Sequence, residues 1–348
     1  MAVSPASIAE AELTNIFKRV HLSSKILAAF PFKLRGRVYS ISPFEMLYSI
    51  LTLTVYGYIA VVTGFDRIRE NINLMMILSL TLPHQTVFAI LLINIIWLAY
   101  NMKTMSTVFQ SLLQIQIKTP VALNFKHRYM MVFSTTLVTI LVSMYIYDKR
   151  SYFTEDYGSV VFVFLVTFAI VDQFSALLAV IRLYYEHICD KLTSQNAEQF
   201  TDIHDLLAQC CISVNDCYSP QLLLVSLATV IYNVSLLYIT IAEFKEFGKF
   251  NVPCVLATLM FFAIVMHFTR SCRLTKIQSE RFNKLLYRLI INEESRELMR
   301  NKRIMLHFKG TKELQFSAIG FINVDYPLIC SMVSTATTYI LILVQFSN

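Results

Sequence analysis

Seven stretches of the chain are apolar enough and long enough to cross a lipid bilayer as helices. Crossing the hydrocarbon core takes about 20 residues of helix. The stretches lack the alternation of apolar and polar residues seen in lipid-facing strands, and only helices and closed barrels satisfy backbone groups in lipid. The sequence therefore predicts an all-α, polytopic seven-transmembrane-helix protein. The predicted spans are residues 44–63, 74–99, 129–147, 159–181, 221–242, 252–270 and 326–346.

Two connections between spans are predicted to be helical as well. Residues 182–220 are interpreted as helical extensions of the fourth and fifth spans. Residues 273–308 mix many charges with apolar residues at mostly helical spacing, which is the pattern of an amphipathic helix. The apolar face has three alternative partners: lipid, the other extensions or a neighbouring subunit. Its residues are Ile277, Phe282, Leu285, Leu286, Leu289 and Leu298.

Lysine and arginine are distributed unequally between the two sides of the predicted membrane domain. The side that holds the N-terminus carries 24 of them, and the opposite side carries six. Because basic residues are enriched in cytosolic connections, this predicts a cytosolic N-terminus and an extracellular C-terminus. G-protein-coupled receptors have seven spans in the opposite orientation, so the distribution disfavours that class.

Composition agrees with a membrane protein and argues against several other classes. Hydrophobic residues make up 56% of the chain and charged residues only 15%, whereas soluble chains carry nearer a quarter. The basic residues lie between apolar runs, so lipid headgroups rather than nucleic acid are the expected partner of the +7 net charge. The chain contains no catalytic or phosphate-binding motif, and no Cys/His pairs at zinc spacing. We therefore predict a non-enzyme with neither cofactor nor metal site.

Small polar residues recur at intervals of three and four along the last predicted span. At about 100° per residue they share one helix face. Such a face can line a water-filled path that closes into an apolar stretch, or it can pack against another helix; the stripe alone does not separate these interpretations. The face consists of Ser331, Ser334, Thr335 and Thr338 and continues through Ile342 to Gln345, with Phe346 beside it.

The end of the chain carries a recognisable motif. Thr338 and Tyr339 are followed by five apolar residues and then by Gln345 and Phe346. This ending resembles the C-terminal signature of insect gustatory receptors, and residues 316–325 resemble the sequence that leads into their final span. The resemblance in residues covers about the last thirty positions. Many sugar-receptor members have a glutamate directly after Thr-Tyr, but this chain has Ile340, which favours bitter-like or fructose-like members.

The resemblance implies a tetrameric, ligand-gated cation channel. Four copies of the last span would surround the pore, with Gln345 and Phe346 at the gate and Tyr339 in either a pore or a packing role. The implied organisation is a cytosolic N-terminal segment (1–43), spans one to six with an outward ligand pocket (44–272), cytosolic amphipathic and anchor helices (273–325), and a pore-lining seventh span (326–348).

Candidate ligand-binding residues are polar or aromatic side chains at middle or outer depth within the spans. Two of them have a structural alternative: Asp172 as a protonated or capped packing residue, and His84, after Pro83, as a hydrogen-bonded core histidine. These candidates rest on depth and chemistry. They are Asp172, Gln173, His84, Gln85, Tyr232, Asn233 and Tyr238.

The functional hypothesis is a plasma-membrane gustatory receptor that opens a non-selective cation channel when a tastant binds. Its expected partners are a small-molecule tastant, monovalent and divalent cations, membrane lipid and other gustatory receptor subunits in a homo- or heterotetramer. A metabotropic seven-span receptor and a membrane transporter are the alternatives. The absence of an internal sequence repeat weakens the transporter alternative.

Overall fold

The protein is built almost entirely from helices. The structure, a computed structural model, describes residues 5–69, 74–121, 157–248, 252–292, 298, 300–310 and 313–346. Within these residues the helices are α1 (Pro5–Ile26), α2 (Pro43–Arg69), α3 (Leu74–Tyr100), α4 (Met102–Lys118), α5 (Tyr157–Asp190), α6 (Ala197–Phe247), α7 (Val252–Asn292), α8 (Lys302–Gly310) and α9 (Tyr326–Phe346). Two antiparallel hairpins pair β1 (Phe32–Arg35) with β2 (Val38–Ile41) and β3 (Ser317–Ala318) with β4 (Ile322–Asn323).

Six of the seven predicted spans coincide with helices α2, α3, α5, α6, α7 and α9. The predicted third span, residues 129–147, lies outside the described residues. By length and hydropathy alone, three helices of the described part are sufficient to cross a membrane: Phe162–Asp190, Ala197–Ile241 and Cys254–Ile291. Phe88–Tyr100 and Met102–Lys118 make a fourth only if this pair, bent by 63°, counts as one span; Tyr326–Ile342 is a shorter apolar helix.

The helical extensions predicted between the fourth and fifth spans are confirmed. Helix α5 continues to Asp190, and α6 begins at Ala197. The amphipathic segment predicted over 273–308 is divided: α7 runs without a break from the sixth predicted span to Asn292, and α8 is a separate helix. Phe282 and Leu286 are fully buried, as an apolar face requires, but Ile277 is 43% exposed and does not belong to that face.

Helix α6 occupies the centre of the fold. It packs against α3, α4, α5, α7, α8 and α9, while α5 and α7 form the most extensive helix pair. Large aromatic side chains fill the space around α6, including the fully buried Tyr184, Tyr185, Tyr218 and Tyr232. Pro220 lies inside α6 without ending it. Helix α6 contacts both the final helix α9 and the short helix α8, so it connects these two parts of the protein.

The N-terminal region contains structure that hydropathy does not predict. Helix α1 buries Leu13, Phe17 and Val20 at helical spacing, and α4 buries Phe109 and Leu112. The rings of Phe17 and Phe109 meet edge to face, with centroids 5.1 Å apart. Helix α1 carries charged residues on its exposed side, and α4 has only 17 residues, so neither helix alone is long and apolar enough to cross a membrane.

The hairpin before the final helix contains a strained turn. Ile319 and Gly320 both have positive φ, of 54° and 70°, and the Phe321 amide donates to the Ala318 carbonyl at 3.1 Å. This is the type I′ geometry, which normally selects asparagine followed by glycine. A β-branched residue at positive φ is unfavourable by roughly 1–2 kcal/mol.

Ile319→Asn is expected to stabilise the folded protein by about 1 kcal/mol relative to Ile319→Ala, because asparagine tolerates the left-handed conformation and alanine does not. Both substitutions remove the half-exposed isoleucine side chain, so alanine is the matched control. Thermal unfolding of the purified protein in detergent measures the difference. Equal unfolding midpoints for the two variants would contradict this account of the turn.

Candidate functional site

The final helix contacts the rest of the protomer along one narrow stripe. Leu328, Met332 and Ala336, spaced four residues apart, are its buried residues. Helix α9 lays this stripe mainly against α6, with a smaller contact to α7. Most of the remaining described side chains of α9 are exposed, including the apolar Val333 and Leu341. A mostly apolar helix with so little covered surface needs further neighbours, either lipid or other copies of the chain.

The predicted polar face lies away from this packing stripe. At 100° per residue, its centre is roughly 110° around the helix from the centre of the buried stripe. The Thr335 and Thr338 hydroxyls donate to the carbonyls of Ser331 and Ser334, at 2.8 and 3.0 Å, and the Ser331 hydroxyl donates to the Leu328 carbonyl at 2.8 Å. Because these protons point into the helix backbone, the hydroxyls present oxygen lone pairs outward, which suits a cation. All four residues of the face, Ser331, Ser334, Thr335 and Thr338, are exposed.

The residues predicted at the gate also lie on uncovered surface. Tyr339 is 55% exposed and Ile342 is 40% exposed, so within the protomer Tyr339 does not act as a packing aromatic. Gln345 is exposed as well. Phe346 ends the helix, and its side chain lies outside the described part. The pore and gate assignments remain predictions.

The start of the final helix is connected to α6 and α7. The Ser219 hydroxyl donates to the Ser317 carbonyl at 3.1 Å and accepts from the Ile319 amide, which links the β3–β4 hairpin to α6. Arg273 of α7 pairs with Asp325, directly before α9, at 3.3 Å. A rearrangement of α6 and α7 therefore has a direct mechanical route to the final helix.

Two of the ligand-binding candidates share an aromatic region between α5, α6 and α7. The Tyr232 ring stacks on Phe261 at 4.6 Å, and Phe261 meets Phe164 edge to face at 6.0 Å. The Tyr232 hydroxyl and both polar atoms of the Asn233 side chain are buried and have no hydrogen-bond partner among the described residues. Leaving such groups unsatisfied is costly, which makes them candidates for bonding a ligand.

Asp172 and Gln173 are adjacent in sequence but belong to different surroundings. Asp172 is buried and faces His267 of α7, with Oδ1 3.9 Å from the imidazole Nε2. The Gln173 amide instead donates to Nδ1 of His21, whose Nε2 lies 2.7 Å from the Tyr39 hydroxyl. Gln173 therefore joins α5 to the N-terminal region and is not brought together with Tyr232 and Asn233.

The other candidates are dispersed. Gln85 is exposed, and the side chain of His84 lies outside the described part of the chain. Tyr238 is buried in α6 two turns beyond Tyr232. The sequence did not indicate His267 or Phe261 as site residues, because neither belongs to a motif. They are relevant because Asp172 of α5 faces His267 and Tyr232 of α6 stacks on Phe261.

Burial lowers the pKa of His21 to about 3, and the nearby charge of Lys25 adds to the effect. The unfolded chain therefore binds a proton near pH 6.5 that the folded protein does not take up, so stability decreases as pH falls below that value. We expect a loss of about 2 kcal/mol between about pH 7.5 and pH 5 from this residue. The loss should be smaller in His21→Gln, measured by thermal unfolding at both pH values; equal losses in both proteins would contradict the assignment.

The chain matches a known family of receptors over most of its length. The sequence model of the 7tm Chemosensory receptor family matches residues 17–348. The chain belongs to this family. It is the family of insect odorant and gustatory receptors, in agreement with the resemblance found at the end of the chain. No curated protein sequence matches the chain significantly.

Solved structures agree with the family assignment. The insect olfactory receptor OR5 from Machilis hrabei in complex with eugenol superposes with a TM-score of 0.67 at 14% sequence identity, over 97% of this chain and 99% of that chain. A second structure of the same receptor gives a TM-score of 0.61 at 13% identity with the same coverage. This chemosensory receptor therefore has the seven-transmembrane-helix fold of the insect chemoreceptors, as the sequence predicts.

Proposed function

We propose that this chemosensory receptor is a gustatory receptor that opens a non-selective cation channel when a tastant binds. Four subunits, all of this chain or mixed with other gustatory receptor subunits, surround the pore in the plasma membrane. The N-terminus lies in the cytosol and the C-terminus outside the cell, as the 24-to-6 distribution of lysine and arginine favours.

The observation that carries the proposal is the exposed polar face of α9. In the described part of α9, the residues buried against its own protomer are Leu328, Met332 and Ala336. The exposed polar residues therefore have no contact with water in a single subunit embedded in a bilayer; they are Ser331, Ser334, Thr335 and Thr338. Copies of the helix around a central axis would supply water to that face. The face carries no charge, so it attracts cations through its hydroxyl oxygens and discriminates weakly among them.

The ending of the chain supports taste rather than smell. Thr338-Tyr339 and Gln345-Phe346 match the gustatory signature, and it is this signature that separates gustatory from odorant receptors. Ile340 stands where many sugar receptors have glutamate, so we propose a bitter plant compound or a fructose-like sugar as the tastant. The structural relative OR5 was solved in complex with eugenol, which supports a small organic ligand for this chain.

The proposed pocket contains Tyr232 and Asn233 with the ring of Phe261. A ligand that carries both a hydroxyl or carbonyl group and an apolar face would satisfy the polar atoms and stack on the aromatic rings. Binding opens the channel to the extent that the ligand prefers the open over the closed arrangement of the helices. Helix α6 would connect the pocket to the pore, because it carries Tyr232 and also binds the β3–β4 hairpin before α9 through Ser219.

Recording from the purified protein in a planar bilayer tests this function. We expect unitary current steps when sugars or bitter compounds are added without nucleotide or G protein. Current that requires a G protein would overturn the proposal in favour of a metabotropic receptor. Substrate transport without unitary steps would overturn it in favour of a transporter.

A further inference from the structure

Two histidines and an aspartate converge where α6, α7 and α8 meet. His204 and Asp205 belong to α6, and His307 belongs to α8. One nitrogen of each imidazole and a carboxylate oxygen lie within 4.8 Å of one another. Nδ1 of His307 is 2.7 Å from Oδ1 of Asp205, and Nδ1 of His204 is 3.7 Å from the same oxygen. The two rings are nearly perpendicular, with centroids 5.0 Å apart.

The second nitrogen of each ring contacts an oxygen acceptor on α7. Nε2 of His204 lies 3.0 Å from the Ser279 hydroxyl and 3.3 Å from the Ser279 carbonyl, and Nε2 of His307 lies 3.0 Å from Oδ1 of Asn283. The Ser279 carbonyl only accepts, so Nε2 of His204 carries its proton and donates it, and Nδ1 of His204 is left with a lone pair on the side of Asp205. The Asp205 carboxylate also only accepts, so Nδ1 of His307 donates to it at 2.7 Å, and a metal ion bound there would displace that proton. Outer-shell partners such as Ser279 and Asn283 orient metal-binding histidines in the same way.

The cluster contains a ligating atom that no other described residue uses. Nδ1 of His204 is buried and has no hydrogen-bond partner in the described part of the chain. Because its proton is on Nε2, His204 turns the lone pair of Nδ1 toward the Asp205 carboxylate, whose Oδ1 is 3.7 Å away.

A cavity adjoins the cluster. Its volume is about 600 Å³, and its lining includes His204, Asp205, His307, Asp202 and Arg303. The exposed side of Asp205 gives access from solvent. Water from the cavity can therefore reach a cation held by the three side chains and complete its coordination.

We propose that His204, Asp205 and His307 bind a divalent transition-metal ion, Zn²⁺ in particular, with a cavity water as the fourth ligand. Two imidazoles and a carboxylate form a donor set that Zn²⁺ favours, whereas Ca²⁺ and Mg²⁺ prefer oxygen donors alone. Zinc bonds of about 2.0–2.2 Å place neighbouring tetrahedral ligands about 3.4 Å apart, and the two separations at Asp205 bracket this value.

Metal binding would join α8 to α6 directly and to α7 through the bonds of Ser279 and Asn283. Without metal, α8 is held near α6 by the His307–Asp205 hydrogen bond at 2.7 Å, by the buried side chain of Ile304, and by the Arg303–Asp202 pair at 2.8 Å, whose side chains are more than half exposed. Exposed pairs of this kind contribute little. An ion that binds only the folded arrangement therefore raises the thermal stability of the protein, and the gain grows with the logarithm of the ratio of free ion to dissociation constant.

Titration of the full-length protein in detergent, after treatment with chelator, tests the proposal. Co²⁺ is the spectroscopic probe, because its visible absorption reports four-coordinate sites with nitrogen ligands, and Zn²⁺ is the competitor. We expect one Co²⁺ per chain, displaced by Zn²⁺, and a higher unfolding midpoint with Zn²⁺. His204→Gln and His307→Gln are each expected to weaken binding at least tenfold. His187→Gln, on α5 and outside the cluster, is the matched control and should bind as the unmodified protein does.

Unfolding midpoints in chelator separate lost folding from lost binding. If a histidine variant fails to fold, Asp205→Asn replaces it as the test, because Asp205 is half exposed and its substitution leaves the buried rings in place. Absent Co²⁺ binding in the unmodified protein, or unchanged binding in both histidine variants, would overturn the proposal. None of these readouts depends on channel current, so their failure leaves the proposed function standing.

Discussion

Thr338→Lys is expected to abolish ligand-evoked cation current, whereas Thr338→Glu is expected to preserve or enlarge it. Thr338 is exposed near the centre of the polar face of α9. In a tetramer, four lysines would surround one ion path. At about 5 Å in water each charge repels a monovalent cation by about 0.8 kcal/mol, so four contribute about 3 kcal/mol. That energy corresponds to a reduction in cation occupancy of roughly a hundredfold.

Thr338→Gln is the matched control, because glutamine has nearly the length of both charged residues and no charge. Its current should stay within a few fold of that of the unmodified receptor. Whole-cell recording with surface labelling of each variant measures the effect at equal expression. Cation currents of ordinary size through Thr338→Lys would place this residue away from the pore.

Asn233→Leu is expected to move stability and ligand sensitivity in opposite directions. Both polar atoms of the Asn233 side chain are buried and have no hydrogen-bond partner among the described residues, which costs about 1–3 kcal/mol. Leucine has the same number and branching of side-chain heavy atoms and removes that cost, so the ligand-free protein should become more stable. The variant should also lose one or two hydrogen bonds to the tastant, and the half-maximal concentration should rise roughly tenfold to a hundredfold.

Asn94→Leu supplies the contrasting control. The Asn94 amide donates to the Ala29 carbonyl at 2.6 Å, and its oxygen accepts from Gln221 at 3.4 Å. Removing a bonded buried asparagine leaves these partners unsatisfied, so this variant should lose about 1–3 kcal/mol. Thermal unfolding in detergent and dose–response curves give the two readouts. A destabilised Asn233→Leu receptor with unchanged sensitivity would show that Asn233 is an ordinary packing residue.

Hydropathy predicted six helices that the structure describes, because lipid imposes a simple length rule on membrane-crossing helices. It did not predict where α7 ends: the helix passes residue 270 and continues to Asn292, since its charged second half packs on α5 and α6 through Phe282 and Leu286. Residues 102–118, which form α4, lie between the second and third predicted spans, where no helix is predicted. The helical spacing of Phe109, Leu112 and Leu113 was the available signal.

The polar face of α9 was predicted from the sequence because it depends on spacing within one helix. The buried contacts are different in kind. Gln173 was selected for its depth in the fourth span, but its partner His21 is 152 positions away. Asp205 and His307 are 102 positions apart, so no local spacing indicated their contact. Such pairs are determined by how α1, α5, α6 and α8 pack, which hydropathy does not specify.

Determination of the structure of the purified receptor in lipid nanodiscs by cryo-electron microscopy would test the central claim most directly. We predict four subunits around one axis, with Ser334, Thr335 and Thr338 of every α9 facing a continuous water-filled path and Gln345 at its constriction. A monomer, or an assembly in which the polar faces of α9 turn outward to lipid, would contradict the account.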